Sequence, residues 1–223
     1  MNVGHVEPPK PTLGWVEHAV ADEFPALWTA SVRIPGRHHR RSPREVRERL
    51  KHLSGRVDGN WAMELRRQDV PAAFRVFWRH IGIEPDEVRP PMEEEVVQRL
   101  RRGGFRTTGM PSDAARIALV ETGIPVWAWD AAQVHGAIGI RRAREAESLD
   151  GEPARPLDPG TLCIADDERP LTALTGDPSR HVEVGKSTRE VVVVALAVAG
   201  VSSLYVEEAL WIAADLIAED PAG

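Results

Sequence analysis

One run of side chains constrains this chain more than any other. Residues Glu190–Val198 read EVVVVALAV, with four valines in succession. β-Branched side chains have one favoured χ1 and pack well on a pleated surface, so the run predicts a strand. It is apolar at every position after Glu190, which places it at the centre of a sheet, covered on both faces. The longest apolar stretch, Val191–Val201, is far shorter than the ~20 residues that cross a bilayer, so no membrane partner is expected.

The surroundings of that strand set the fold class. Leu27–Ile34 (LWTASVRI) has strand character. Ser42-Pro43-Arg44-Glu45 reads as a helix start, with Ser42 as cap and Glu45 completing a capping box. Val46, Leu50 and Leu53 then share one helical face up to Gly55. Pro71–Ile81 predicts a helix with Phe74, Phe77, Trp78 and Ile81 turned inward, ended by Gly82. Pro91–Arg102 carries acids at its start and bases at its end, as the helix dipole favours. Ser112 can cap a helix over Asp113–Thr122. Strands are predicted at Val126–Trp129, Ala137–Ala143, Leu162–Ala165 and Leu171–Leu174, with Glu145–Pro159 as a surface link. Leu204–Ala218 closes the chain as an amphipathic helix. Helices precede strands rather than alternating with them, which indicates α+β and not a doubly wound sheet. The chain has 223 residues. That length suits one domain over residues 12–220, after a loosely ordered Pro-rich segment at 1–11.

Charge is unevenly spread. The formal net charge is −6, yet from Arg33 to Arg67 eleven bases face only Glu45, Glu48, Asp58 and Glu64. A local basic face can meet phosphate on an acidic protein. Arg40, Arg41, Arg44 and Arg47 are the candidate RNA contacts; a solvated helix surface is the plainer reading of the same charges. Cys163 is the single cysteine and lies in a predicted strand, as a packed thiol. There is no basic-then-apolar leader, and a cytoplasmic location is expected. No P-loop, GxGxxG, HExxH, GxSxG or paired CxxC occurs, so neither a metal nor a cofactor is expected. His38-His39 stands among Arg37, Arg40 and Arg41, which would repel a cation.

One stretch carries more information. Gly123–Arg144 reads GIPVWAWDAAQVHGAIGIRRAR and is followed by TLCIADDERPL at 161–171. The order of Gly123, Pro125, Asp130, Gly136, Arg141–Arg142, Ile164–Asp166 and Pro170 resembles the editing module (the B-three/B-four region) of the phenylalanyl-tRNA synthetase β subunit, over about residues 70–217. The resemblance implies mixed or antiparallel sheets packed with several helices. It implies a freestanding hydrolase that deacylates a mischarged aminoacyl-tRNA, with no DNA partner. It implies a substrate pocket including Asp113, Trp127, Asp130, Gly176, Asp177, Thr188 and Val194. Arg75, with Arg89 and Glu93, falls in a motif of freestanding members and joins the RNA contacts.

Each of these residues also has a structural reading. Asp113 can compensate a helix dipole, Asp130 can cap an Asx turn, and Trp127 with Trp129 can fill a core. Two departures bear on specificity. Trp127 stands where the synthetase module carries a His, and Val194 where a Glu reads the hydroxyl of tyrosine. A Val cannot bond a phenol, so tyrosine removal is not expected. An arginine-like amino acid is one candidate substrate, its cation received by Asp113, Asp130 or Asp177. Aminoacyl esters are already activated, so hydrolysis needs only a held carbonyl, a placed water and donors for the oxyanion. Gly176 or Gly123 can supply backbone donors. The alternatives are a non-catalytic RNA-binding module with a vestigial pocket, and a small-molecule pocket protein.

Overall fold

The computed structural model describes residues 10–35, 41–150 and 153–218. Two four-stranded sheets and seven α-helices form an α+β fold among these residues. The strands are β1 (Thr12–Leu13), β2 (Trp15–Val16), β3 (Trp28–Pro35), β4 (Val126–Asp130), β5 (Gly139–Arg142), β6 (Leu162–Ala165), β7 (Pro170–Ala173) and β8 (Glu190–Ala197). The helices are α1 (His18–Glu23), α2 (Arg44–Arg56), α3 (Gly59–Leu65), α4 (Asp69–His80), α5 (Pro91–Arg102), α6 (Ser112–Thr122) and α7 (Ser203–Ala218).

The valine run behaves as its composition requires. It is β8, interior to the antiparallel sheet β1-β3-β8-β4, and every side chain from Val191 to Ala197 is fully buried. Its register sets Trp28–Pro35 against Ala197–Glu190 on one side and Val126–Asp130 against Ala195–Val191 on the other. Helices α6 and α7 pack on each other; α7 covers β3 and β8, and α6 covers β4 and reaches α2. The second sheet is mixed, in the order β2-β5-β6-β7, with β2 parallel to β5. Gly139 permits that pairing, because a Cβ there would lie 2.1 Å from the Trp15 ring.

Phe74, Phe77 and Trp78 are buried as helical spacing predicts, with edge-on ring contacts. Gly103 and Gly123 close α5 and α6 in the left-handed conformation that glycine adopts at no steric cost. Both predicted serine caps are absent. Pro43 and Pro111 hold the N-cap positions without side-chain bonds. The Ser42 hydroxyl instead donates to Asp113, at 2.6 Å. A buried carboxylate is a stronger acceptor requirement than an exposed helix start. The segment read as a surface link also differs. Leu149 and Asp150 inside it are buried, and Ser148 bridges to Pro156.

Candidate functional site

A cleft of about 1240 Å³ opens between the two sheets' helical and loop flanks. One wall is the start of α5 and of α6, with Arg89, Glu94, Glu95 and Arg116. The floor is Pro125–Trp129, the entry and body of β4. The other wall is the segment 175–186 that leads from β7 toward β8.

Among the described residues β4 is an edge strand, and its register says which backbone groups it leaves free of them. Leu196 N–H donates to Pro125 C=O. In an antiparallel ladder that pair and every second one bond across, so Trp127 and Trp129 turn their backbone groups to β8. Val126 and Ala128 therefore direct N–H and C=O to the open edge, where an extended polar ligand can pair with them. The Trp127 and Trp129 indoles lie 6.4 Å apart on one face of the strand. Trp129 is 1% exposed, lines the cleft, and its Nε1–H has no hydrogen-bond partner among the described residues. A buried unpaired donor beside a cavity gains a full hydrogen bond when a ligand oxygen arrives.

The loop wall is held from behind by Asp150, which is 5% exposed. It accepts from Arg155 Nε, from Arg180 N–H at 2.7 Å and from Ser179 Oγ at 3.1 Å. Arg155 in turn donates to the Asp177 and Pro178 carbonyls. The Arg155 guanidinium, then the Arg180 amide and the Ser179 hydroxyl, outweigh burial and hold the Asp150 carboxyl at about 2. Sequence reading missed this group because a Pro- and Gly-rich link has no periodicity to read.

The predicted pocket residues separate into two sets. Trp127, Gly176 and Asp177 line the cleft. Asp113, Asp130, Thr188 and Val194 are buried in the framework around it. Asp113 accepts from Ser42, from Thr108 and Gly109 N–H, and from Arg116 Nη1 at 2.9 Å. Asp130 accepts from Ala132 N–H at 3.1 Å and from Thr188 Oγ1 at 2.7 Å, and Thr188 accepts from Gly185 N–H at 3.0 Å. Both carboxylates are thus engaged internally, which corrects their assignment as receivers of a substrate cation. Val194 sits directly opposite Trp127 in the ladder, with no exposed surface. Asp177 and Glu183 are the cleft carboxylates without an ion-pair partner among the described residues. Arg116, three residues after Asp113, joins that carboxylate to the cleft wall. Its helical i,i+3 spacing was the available signal.

The predicted RNA contacts also divide. Arg40 lies outside the described residues. Arg44 is ion-paired to Glu48 at 2.7 Å. Arg75 is 8% exposed and clamped between Glu93 at 2.9 Å and Asp86 at 3.0 Å. Arg66 also reaches Glu93, at 3.3 Å, so the Arg75 guanidinium is engaged in a buried ion-pair cluster rather than turned to solvent. Arg41 and Arg47 line a smaller depression of about 400 Å³. Cys163 is fully buried in β6, and burial pushes its thiol up to about 11, so it is not a nucleophile at neutral pH. The described residues contain no group of three or more metal-ligating side chains, and no helix long and apolar enough to cross a membrane.

A model of the B3/4 domain matches residues 73–219, well over half of the chain. The chain belongs to the B3/4 domain family. Its curated relatives include β subunits of phenylalanine–tRNA ligase. The Streptomyces avermitilis protein is 34% identical over 118 residues, half of this chain and 14% of that subunit. The Xanthomonas campestris protein is 37% identical over 98 residues, and the Nitrosospira multiformis protein 41% over 102. In both cases the match takes in 43% of this chain and 12% of the relative. This B3/4 chain therefore spans about one-eighth of the length of those ligase subunits.

Proposed function

We propose that this B3/4 protein associates with tRNA and hydrolyses the ester of a mischarged aminoacyl-tRNA in trans, in the cytoplasm. The observation that carries the reading is the cleft floored by the unpaired edge of β4. Its volume of about 1240 Å³ exceeds the ~300–1,000 Å³ of drug-sized sites. That is room for an amino acid together with its terminal ribose and base. Kinship to ligase β subunits supports an RNA end as the occupant.

The chemistry follows from the groups at the floor. Water attacks the ester carbonyl carbon, the bond from that carbon to the ribose oxygen breaks, and the ribose oxygen leaves with a proton as a hydroxyl. Developing negative charge on the carbonyl oxygen is met by N–H donors on the β4 edge or by Trp129 Nε1, whose indole is buried. No side-chain nucleophile is required, because the ester is activated and held. Trp127 offers a face for the amino acid or the base. Asp177 and Glu183 favour an amino acid whose own amine or side chain is cationic.

The deciding experiment is incubation with a panel of mischarged tRNAs, following release of labelled amino acid. Turnover of at least one, abolished by prior digestion of the RNA, is expected. No release from any tRNA sinks the hydrolase. A non-catalytic RNA-binding module is the second reading. It is favoured by Val194, which puts an apolar side chain where the related module reads its substrate with an acid, and by a cleft lining without His or Cys among the described residues. Salt-sensitive RNA binding with no turnover would establish that reading instead.

A further inference from the structure

We propose that the smaller depression beside the cleft is a phosphate-binding subsite, which takes backbone phosphates of the RNA whose end occupies the cleft. This rests on the tRNA reading above. The depression of about 400 Å³ is lined by Arg41, Arg47, Thr107, Thr108 and Gly109. Thr108 also lines the large cleft, so the two open side by side.

The charge there is not internally compensated. Most arginines of this acidic protein are paired: Arg33 with Glu190, Arg44 with Glu48, Arg49 with Glu121, Arg67 with Glu64. Neither Arg41 nor Arg47 has a carboxylate partner among the described residues, and both are exposed. Two unneutralised guanidiniums on one concavity focus a positive field there, and their forked donors match phosphate oxygens two at a time. The exposed Thr107 hydroxyl adds an uncharged donor.

The subsite is fixed in place relative to the cleft. Ser42, next to Arg41, donates to the buried Asp113 carboxylate. The same carboxylate holds the Thr108 and Gly109 amides of the depression and Arg116 of the cleft wall. One buried anion thus ties both concavities together, and its own charge is spent on internal donors. Arg41 and Arg47 precede residue 73, where the family match begins. The guanidiniums of the subsite are therefore supplied by this chain's N-terminal part, and Thr107, Thr108 and Gly109 by the B3/4 domain itself.

Two paired-glutamine variants test it, since glutamine removes charge and keeps a polar stem. R41Q/R47Q removes two charges from the depression, and R33Q/R67Q removes two from exposed arginines already paired to Glu190 and Glu64. Circular dichroism checks that each variant is folded. Binding of uncharged tRNA is measured by fluorescence anisotropy from about 50 to 200 mM salt, a range over which phosphate contacts weaken steeply. R41Q/R47Q is expected to weaken binding roughly tenfold at low salt and to reduce the log–log salt slope by about 1.5. R33Q/R67Q is expected to change affinity less than about twofold. Equal losses in the two variants overturn the subsite and leave a diffuse field, while tRNA binding itself stands. Calorimetric titration with inorganic pyrophosphate separates the remaining cases. Saturable binding that R41Q/R47Q abolishes supports the subsite even where wild-type protein ignores tRNA, in which case the tRNA reading falls alone. Pyrophosphate heat that the R41Q/R47Q change leaves intact overturns the subsite, and so does its absence in the wild type.

Discussion

Asp150 illustrates how one side chain can set the shape of a cleft it does not enter. Its carboxylate is bonded to Arg155, Ser179 and the Arg180 amide, and Arg155 carries the hold on to Asp177 and Pro178. With a folded value of about 2 against an unfolded value of 3.8, the carboxyl is depressed by folding. A depressed carboxylate contributes stability above the unfolded value, and that contribution disappears as pH falls through the folded one. The window is therefore about pH 4 down to pH 2, and the size roughly 2 kcal/mol at most. D150N is expected to be less stable than wild type at pH 7 by about that amount, with the two denaturation curves converging toward pH 2. Urea titrations at successive pH values check this. A gap that stays constant across that window would show that the charge is not what Asp150 contributes.

At the scale of elements, β4 matters because it is an edge. Ala128 directs its N–H away from β8, so proline at that position removes a cleft-facing donor and no ladder bond. A128P is expected to keep a cooperative melt near that of wild type while losing about tenfold or more of its deacylation rate. Unchanged turnover in a folded A128P protein would remove the β4 edge from the mechanism. The edge also shows what could be read from residues alone. The valine run and the VWAW segment announced their strands through β-branching and alternation, and α4, α5 and α6 through apolar spacing and terminal glycines. The two-residue strands β1 and β2 are too short to have a period. Helix α3 shows little amphipathic pattern, with Leu65 its buried residue. Trp127, Gly176 and Asp177 came from a resemblance and do line the cleft. Asp113 and Asp130 came from it too, but an aspartate that starts a helix or ends a strand looks the same in sequence whether it faces a ligand or binds its neighbours. Only the partners Ser42 and Thr188, 71 and 58 residues away along the chain, decide that.

For the whole molecule, the reach of the family match and the reach of the fold differ. The match starts at residue 73, yet β3, at residues 28–35, lies inside the main sheet between β1 and β8. Thr29 Oγ1 donates to Ala195 C=O in the interior, and Ala30, Val32 and Ile34 are buried. Val46, Leu50 and Leu53 of α2 belong to the same apolar core as Ile117 of α6 and Ile212 of α7. A fragment of residues 70–223 would expose one side of β8, whose residues 191–197 are wholly apolar and carry no edge charge or proline to block pairing with other chains. Such a fragment is expected to be aggregation-prone, or to retain far-UV dichroism while losing near-UV dichroism and cooperative melting. If it instead melts cooperatively with a native near-UV spectrum, then residues 1–69 are an attachment and not part of the core. The expected loss has a functional corollary. The segment that completes the sheet through β3 also carries Arg41 and Arg47, so the basic depression cannot be trimmed from this B3/4 protein without unmaking the strand pair that positions the floor of its cleft.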